Sequence, residues 1–136
     1  MIAADTNVLL RLYVEDSPRQ RRAALDLLSG AGFGGVYVNV VVLAEIAWAL
    51  KSIFKLSRNS LIGVFLDLLT REELTIENRP AVMLAVRYFD IKRISFGDCL
   101  IAALNEAAGA DTTYTFDQQA AGLRTFTLVG EEKEEP

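Results

Sequence analysis

Apolar positions along the chain fall into short blocks that alternate with stripes of helical period. Residues 2–4 form an apolar run ending at Asp5, and residues 7–14 follow with helix-like spacing. Ser17-Pro18 reads as an N-cap with proline at the first helical position, so a second helix is predicted over residues 18–28, broken by Gly30, Gly32, Gly34 and Gly35. Val36–Val38 is the β-branched and aromatic run of a buried strand, and Asn39 caps a helix over residues 40–54. Ser57 opens an amphipathic segment to about residue 69, Leu74–Ile76 is a short strand, and Arg79-Pro80 starts a helix reaching about residue 90. Ser95 begins the next helix, which ends at Gly109. Residues 112–115 form a strand, residues 116–122 a turn or short helix, and residues 126–129 a last strand.

Strands alternating with helices predict an α/β/α sandwich, with a short, mainly parallel central sheet flanked by helices and a ligand site at the carboxyl ends of the strands. No internal repeat or linker interrupts the pattern. One domain is expected over residues 1–130, followed by an acidic tail, residues 131–136, expected to be disordered and without catalytic role. The glycine cluster superficially resembles a phosphate-cradling loop. It follows a helix and enters a strand, the reverse of a dinucleotide-binding turn, and reads as a helix-terminating loop.

Composition narrows the chemistry. A chain of 136 residues can bury a core without staples, and one cysteine, Cys99, with no histidine excludes disulfide frameworks, Cys/His zinc sites and imidazole bases. Acid–base work falls to carboxylates, Lys, Tyr or water. The formal charge is −4, but the four Glu and one Lys of the tail account for −3 of it. If four body carboxylates sit on metal, the rest of the body carries +3, and Arg19, Arg21, Arg22, Lys51, Lys55, Arg58, Lys92 and Arg93 are available to phosphates. Each of these bases taken alone reads first as part of a solvated helix face. No basic leader precedes the first apolar run and no stretch approaches the roughly 20 apolar residues of a membrane span, so a cytoplasmic protein is expected.

Four acids stand out. In VVVLAEIAWAL, residues 40–50, Glu45 is the only charge, and Val41, Val42, Trp48 and Ala49 at helical spacing cannot pair with it. A buried, unpaired carboxylate is costly, so Glu45 either meets a cation or hydrogen bonds from elsewhere, or escapes to water at an edge. Asp98 repeats the pattern in ISFGDCLIAAL, with the added reading that Ser95 and Asp98 have the spacing of a capping box. Asp5 and Asp117 each follow a strand, where aspartate is also a plain N-cap. Turns after parallel strands open on one edge, so the four can converge. Such a set would repel strongly without a cation, and oxygen-only donors select Mg²⁺ or Mn²⁺.

The segments ADTNVLLRL at residues 4–12, Glu45 in its apolar helix, FGDCLIAAL at residues 96–104 and YTFD at residues 114–117 together resemble PIN-domain ribonucleases, most closely VapC-type toxins. The resemblance covers nearly the whole chain. It implies a Mg²⁺- or Mn²⁺-dependent endoribonuclease using one or two ions, a homodimer, neutralised by a small cognate antitoxin whose tail occupies the active-site groove. By position it makes Asp5 and Asp98 the principal metal ligands, Glu45 and Asp117 further members of the acidic cluster, and Thr6, Asn7 and Thr115 their hydrogen-bonding supports. It also implies in-line attack by water and products with 5′-phosphate ends. The chain departs from the family pattern in two respects: Gln118 and Gln119 stand where some relatives carry a further acid, and Asn39 where many have Ser or Thr.

Two other functions compete. One is a catalytically silent module that keeps the fold and binds a partner protein. The other is an Mg²⁺-dependent phosphatase with Asp5 as nucleophile, disfavoured because DTNVL lacks the second Asp of DxDxT. The aromatic residues Trp48, Phe54, Phe65, Tyr88 and Phe89 could stack on bases, but their helical spacing among apolar neighbours predicts core packing. Leu61, Phe65 and Leu68 form a candidate dimer or antitoxin face, again with core as the default.

Overall fold

The computed structural model describes residues 1–130, so the acidic tail and its expected disorder lie outside the described residues. The chain divides into two compact units, Met1–Arg79 and a second beginning at Pro80.

The first unit runs β1 (Ile2–Ala3), α1 (Thr6–Leu10), α2 (Pro18–Ala31), β2 (Val36–Val38), α3 (Val40–Ser52), α4 (Arg58–Thr70) and β3 (Leu74–Ile76). Its strands form a parallel sheet in the order β1-β2-β3, with Ile2 opposite Val36 and Val36 opposite Leu74. Leu9, Leu28, Val36, Val38, Leu43, Ile46, Leu50, Phe65 and Leu68 fill its core. The predicted side-chain caps are present: Ser17 accepts from Gln20 N, Asn39 from Val42 N and Ser57 from Ser60 N.

Two boundaries differ from expectation. The second helix continues through Gly30, which a helix tolerates at a cost of about 1 kcal/mol relative to alanine, and stops at Gly32, whose φ of +77° an L side chain rarely adopts. Gly35 approaches Ala31 so closely that a Cβ would meet its carbonyl oxygen, so the cluster serves the helix end and strand entry. The first helix is shorter than residues 7–14. Beyond Leu10 the backbone tightens into turns, with Leu12 N bonding Leu9 O at 3.1 Å and Tyr13 N bonding Leu10 O at 3.0 Å.

The second unit contains α5 (Arg79–Ile91) from Pro80 onward, α6 (Phe96–Ala107), β4 (Thr113–Thr115), a 3₁₀ turn (Ala120–Gly122) and β5 (Phe126–Leu128). β4 and β5 pair in parallel, Thr113 opposite Phe126. Phe89 and Phe96 meet edge to face with centroids 5.7 Å apart, and Val82, Cys99 and Ala103 are buried beside other apolar side chains of the unit. Every strand pairing among the described residues is parallel, as alternating strands and helices predict. The strands form two hydrogen-bonded groups of three and two, where one sheet was expected.

Leu61, Phe65 and Leu68 are at most 3% exposed, which removes them as a dimer or antitoxin face. Phe65 and Phe89 are core, as expected. Trp48 is not: it is 64% exposed.

Candidate active site

In the first unit, β1 delivers Asp5 to the carboxyl edge of the sheet. There Asp5 caps α1, its Oδ1 accepting from Val8 N at 3.3 Å. The adjacent parallel strand β2 delivers Asn39, whose side chain accepts from Val42 N at 3.0 Å and so starts α3 from the same edge. α1 and α3 pack together, and Thr6 Oγ1 donates to Glu45 Oε2 at 3.2 Å. Helical geometry places Val42, Leu43, Ile46, Ala47, Ala49 and Leu50 in the core and leaves Val41, Glu45 and Trp48 on an outward stripe. Glu45 is therefore solvent-exposed, and it also receives a hydrogen bond from elsewhere in the fold, the one from Thr6.

Two hollows flank α1. One, of about 470 Å³, is shared with α2 and lined by Asp5, Asn7 and Arg11 among others. The other, of about 550 Å³, is shared with α3 and lined by Thr6, Asn7, Arg11, Glu45 and Trp48 among others. Asn7 thus stands between the hollow that holds Asp5 and the one that holds Glu45.

In the second unit Ser95 caps α6 by accepting from Asp98 N at 3.1 Å. This is half of the expected capping box. Among the described residues the Asp98 carboxylate accepts no hydrogen bond, so it stands half-buried in the first turn with its oxygens unspent. Asp117 follows β4, as predicted. Its N–H donates to Thr115 Oγ1 at 2.9 Å, and its Oδ1 accepts from Gln119 N at 2.8 Å and Ala120 N at 3.4 Å. Thr6 thus bonds the Glu45 carboxylate, whereas Thr115 bonds the backbone of Asp117 and not its carboxylate.

Ion pairs among the described residues engage four acids outside this set, while Asp26, Glu72, Glu77, Asp90, Glu106 and Asp111 form none. Asp16 pairs with Arg11, Glu15 with Arg21 at 2.8 Å, and Asp67 and Glu73 with Arg71 at 2.9 and 3.1 Å. None of Asp5, Glu45, Asp98 and Asp117 enters an ion pair among the described residues. Among the described residues no three Asp, Glu or Cys side chains stand close enough together to hold a metal ion. The donor chemistry, carboxylate oxygen without thiol or imidazole, is that of a hard divalent cation, which needs only one or two carboxylates beside water and substrate oxygens.

Sequence reasoning missed two residues here. Glu77 follows β3 at the same sheet edge and accepts from Val40 N at 2.9 Å, securing the start of α3. Trp48 was hidden by its apolar neighbours, although its position three residues after Glu45 places it on the charged side of the helix.

Short parallel strands alternating with helices, with Asp5 and Asp117 in the turns after β1 and β4, make this an α/β protein. Residues 2–124 match the PIN domain model, and the chain belongs to the PIN domain family, whose members are generally nucleases. No curated protein and no solved structure matches it. Among the described residues no helix is long and apolar enough to cross a membrane.

Proposed function

We propose that this protein is a divalent-metal-dependent endoribonuclease acting as the toxin of a type II toxin–antitoxin pair. The observation that carries the reading is the match of residues 2–124 to the PIN domain model, together with four acids at the positions the PIN resemblance selects, none of them ion-paired among the described residues. In this reading residues 1–130 act as one nuclease domain. Asp5 and Asp98 are the principal metal ligands, with Glu45 and Asp117 completing the set.

A bound Mg²⁺ or Mn²⁺, as one or two ions, supplies charge to the scissile phosphate and makes water more acidic. The chain's own residues do the rest. Glu45 or Asp117 orients the attacking water and takes its proton. Thr6 fixes the Glu45 carboxylate through the bond at 3.2 Å, and Thr115 fixes the turn that carries Asp117. As the water oxygen bonds to phosphorus, the bond to the 3′ oxygen breaks and that oxygen takes a proton from solvent water and leaves as a hydroxyl, so the other product keeps a 5′-phosphate. A cognate antitoxin protein and a homodimer complete the proposal.

The competing reading is a catalytically silent PIN-fold module that binds a partner protein. Incubating a labelled structured RNA with purified, antitoxin-free protein in EDTA, Mg²⁺ or Mn²⁺ separates the two. The nuclease gives metal-dependent fragments with 5′-phosphate ends. Intact RNA under all three conditions assigns the chain to the silent module.

A further inference from the structure

Trp48 is the one tryptophan of the chain, and it sits 64% exposed in the wall of the 550 Å³ hollow that also holds Thr6 and Glu45. An indole left in water forgoes burial worth about 2 kcal/mol or more for a large apolar side chain, which calls for an account of what covers it. Residues three apart on a helix have Cβ atoms about 5–6 Å apart, and Trp48 and Glu45 line the same hollow.

We propose that Trp48 is a stacking platform for a nucleobase of single-stranded nucleic acid, the base next to the phosphate held at Glu45. The inference rests on the nuclease reading and adds a specificity-determining residue to it. Three observations favour a nucleotide over an apolar protein segment. The outward stripe of α3 reads Val41, Glu45, Trp48, so a carboxylate interrupts it, and a protein helix laid there would bury that charge beside apolar groups. A nucleotide brings an anionic phosphate, which a cation can bridge to Glu45, and a flat face that the indole can cover. The hollow has the size of a small-ligand site and a polar rim of Thr6, Asn7 and Arg11 around an apolar floor. Finally, Arg11 lines the hollow and bonds Asp16 through one terminal nitrogen, its buried Nε having no acceptor among the described residues, so the guanidinium keeps a second terminal nitrogen for a phosphate or base edge.

Because Trp48 is the sole tryptophan, its emission reports on the site directly. The full chain is titrated with a short single-stranded RNA and with an abasic chain of equal length, in EDTA and again with Ca²⁺. Affinity is read in parallel from the anisotropy of the labelled oligonucleotide. We expect saturable quenching by the base-bearing chain and little by the abasic one. Trp48→Ala should weaken binding about 5- to 150-fold, the range spanned by loss of one base–aromatic stack, and Trp48→Phe should restore most of it. Equal behaviour of the two oligonucleotides, unchanged affinity in Trp48→Ala, or no binding in either condition overturns the proposal. So does Trp48 emission that changes on dilution of the protein alone, which would assign the indole to a contact between copies. RNA cleavage that ignores Trp48 removes this subsite and leaves the nuclease. Trp48-dependent binding without cleavage in any metal removes the nuclease and leaves a nucleic-acid-binding site.

Discussion

Thr6 and Glu45 lie 39 residues apart in the chain, yet Thr6 Oγ1 donates to Glu45 Oε2 at 3.2 Å. This bond joins the first turn of α1, set by the Asp5 cap, to the helix that carries Glu45. It makes Thr6 a positioning residue for that carboxylate. Thr6→Val keeps the shape and removes the donor. Because the bond is exposed, stability should change by about 1 kcal/mol or less, while metal-dependent cleavage should fall about 10- to 100-fold, as when an outer partner of a metal ligand is lost. Thermal melts and cleavage rates on the same preparations check both parts. Equal loss of stability and activity would make the bond merely structural.

Asn39 holds the start of α3, accepting from Val42 N at 3.0 Å. Asn39→Ala should cost about 1 kcal/mol, while Asn39→Ser should cost only a fraction of that, since serine caps equally well. Urea unfolding midpoints at constant slope measure the difference.

Ile46 and Trp48 are two residues apart on α3 with opposite environments, 0% and 64% exposed. Ile46→Ala should destabilise by about 2–5 kcal/mol through lost burial and a residual cavity. Trp48→Ala should stay within about 0.5 kcal/mol of the wild type, as surface substitutions do. Comparable losses in denaturant unfolding would contradict the outward placement of the indole.

Tyr13, Asp67 and Arg71 form a polar clip in the first unit, with Tyr13 Oη donating to Asp67 at 2.6 Å and Arg71 Nε at 2.9 Å. Burial pushes the Asp67 carboxyl up, but the bonds from Tyr13 and Arg71 outweigh it and hold the group below its ordinary range. A lowered carboxylate contributes stability above its unfolded value, about pH 4, and that contribution is lost as pH falls through the folded value. Burial first, then the Asp67 bond, pushes the Tyr13 phenol up, so its contribution is present below about pH 10 and lost as pH rises through the folded value. Burial and the Glu106 bond likewise push Tyr88 up to about 12. Tyr13→Phe should therefore flatten both limbs of the stability–pH curve, which urea titrations at acid, neutral and alkaline pH would show. An unchanged curve would remove the clip from the stability account.

Much of the fold was legible because helix starts are chemically explicit. Ser17, Asn39, Ser57 and Ser95 each carry a side-chain acceptor at the predicted cap, and each makes the predicted bond. Ends were less legible, since Gly30 permits either continuation or termination, and the backbone after Leu10 tightens without a breaker residue. In the run VVVLAEIAWAL only Glu45 marks an outside, so core packing is the natural expectation for Trp48; which stripe faces inward is decided by where other elements pack. The division of the strands into groups of three and two depends on backbone pairing that no side chain announces. Glu77 escaped notice because an acid after a strand is ordinary, and its bond to Val40 N spans 37 residues. For the candidate site, the strand-end and helix-start positions of Asp5, Asp98 and Asp117 were legible from the elements around them. The family likeness named Thr6 as a hydrogen-bonding residue, but its bond to Glu45, across 39 residues, was not legible.

The central claim is that the uncompensated acids carry metal-dependent RNA cleavage. Its most direct test compares wild type with Asp5→Asn, from the first unit, and Asp98→Asn, from the second, each confirmed folded by circular dichroism, on one labelled RNA in Mg²⁺. Both substitutions should lower the cleavage rate by more than about 100-fold, the upper end of what loss of even an outer metal partner costs, with the fold retained. Cleavage at the wild-type rate by either folded variant would contradict the account.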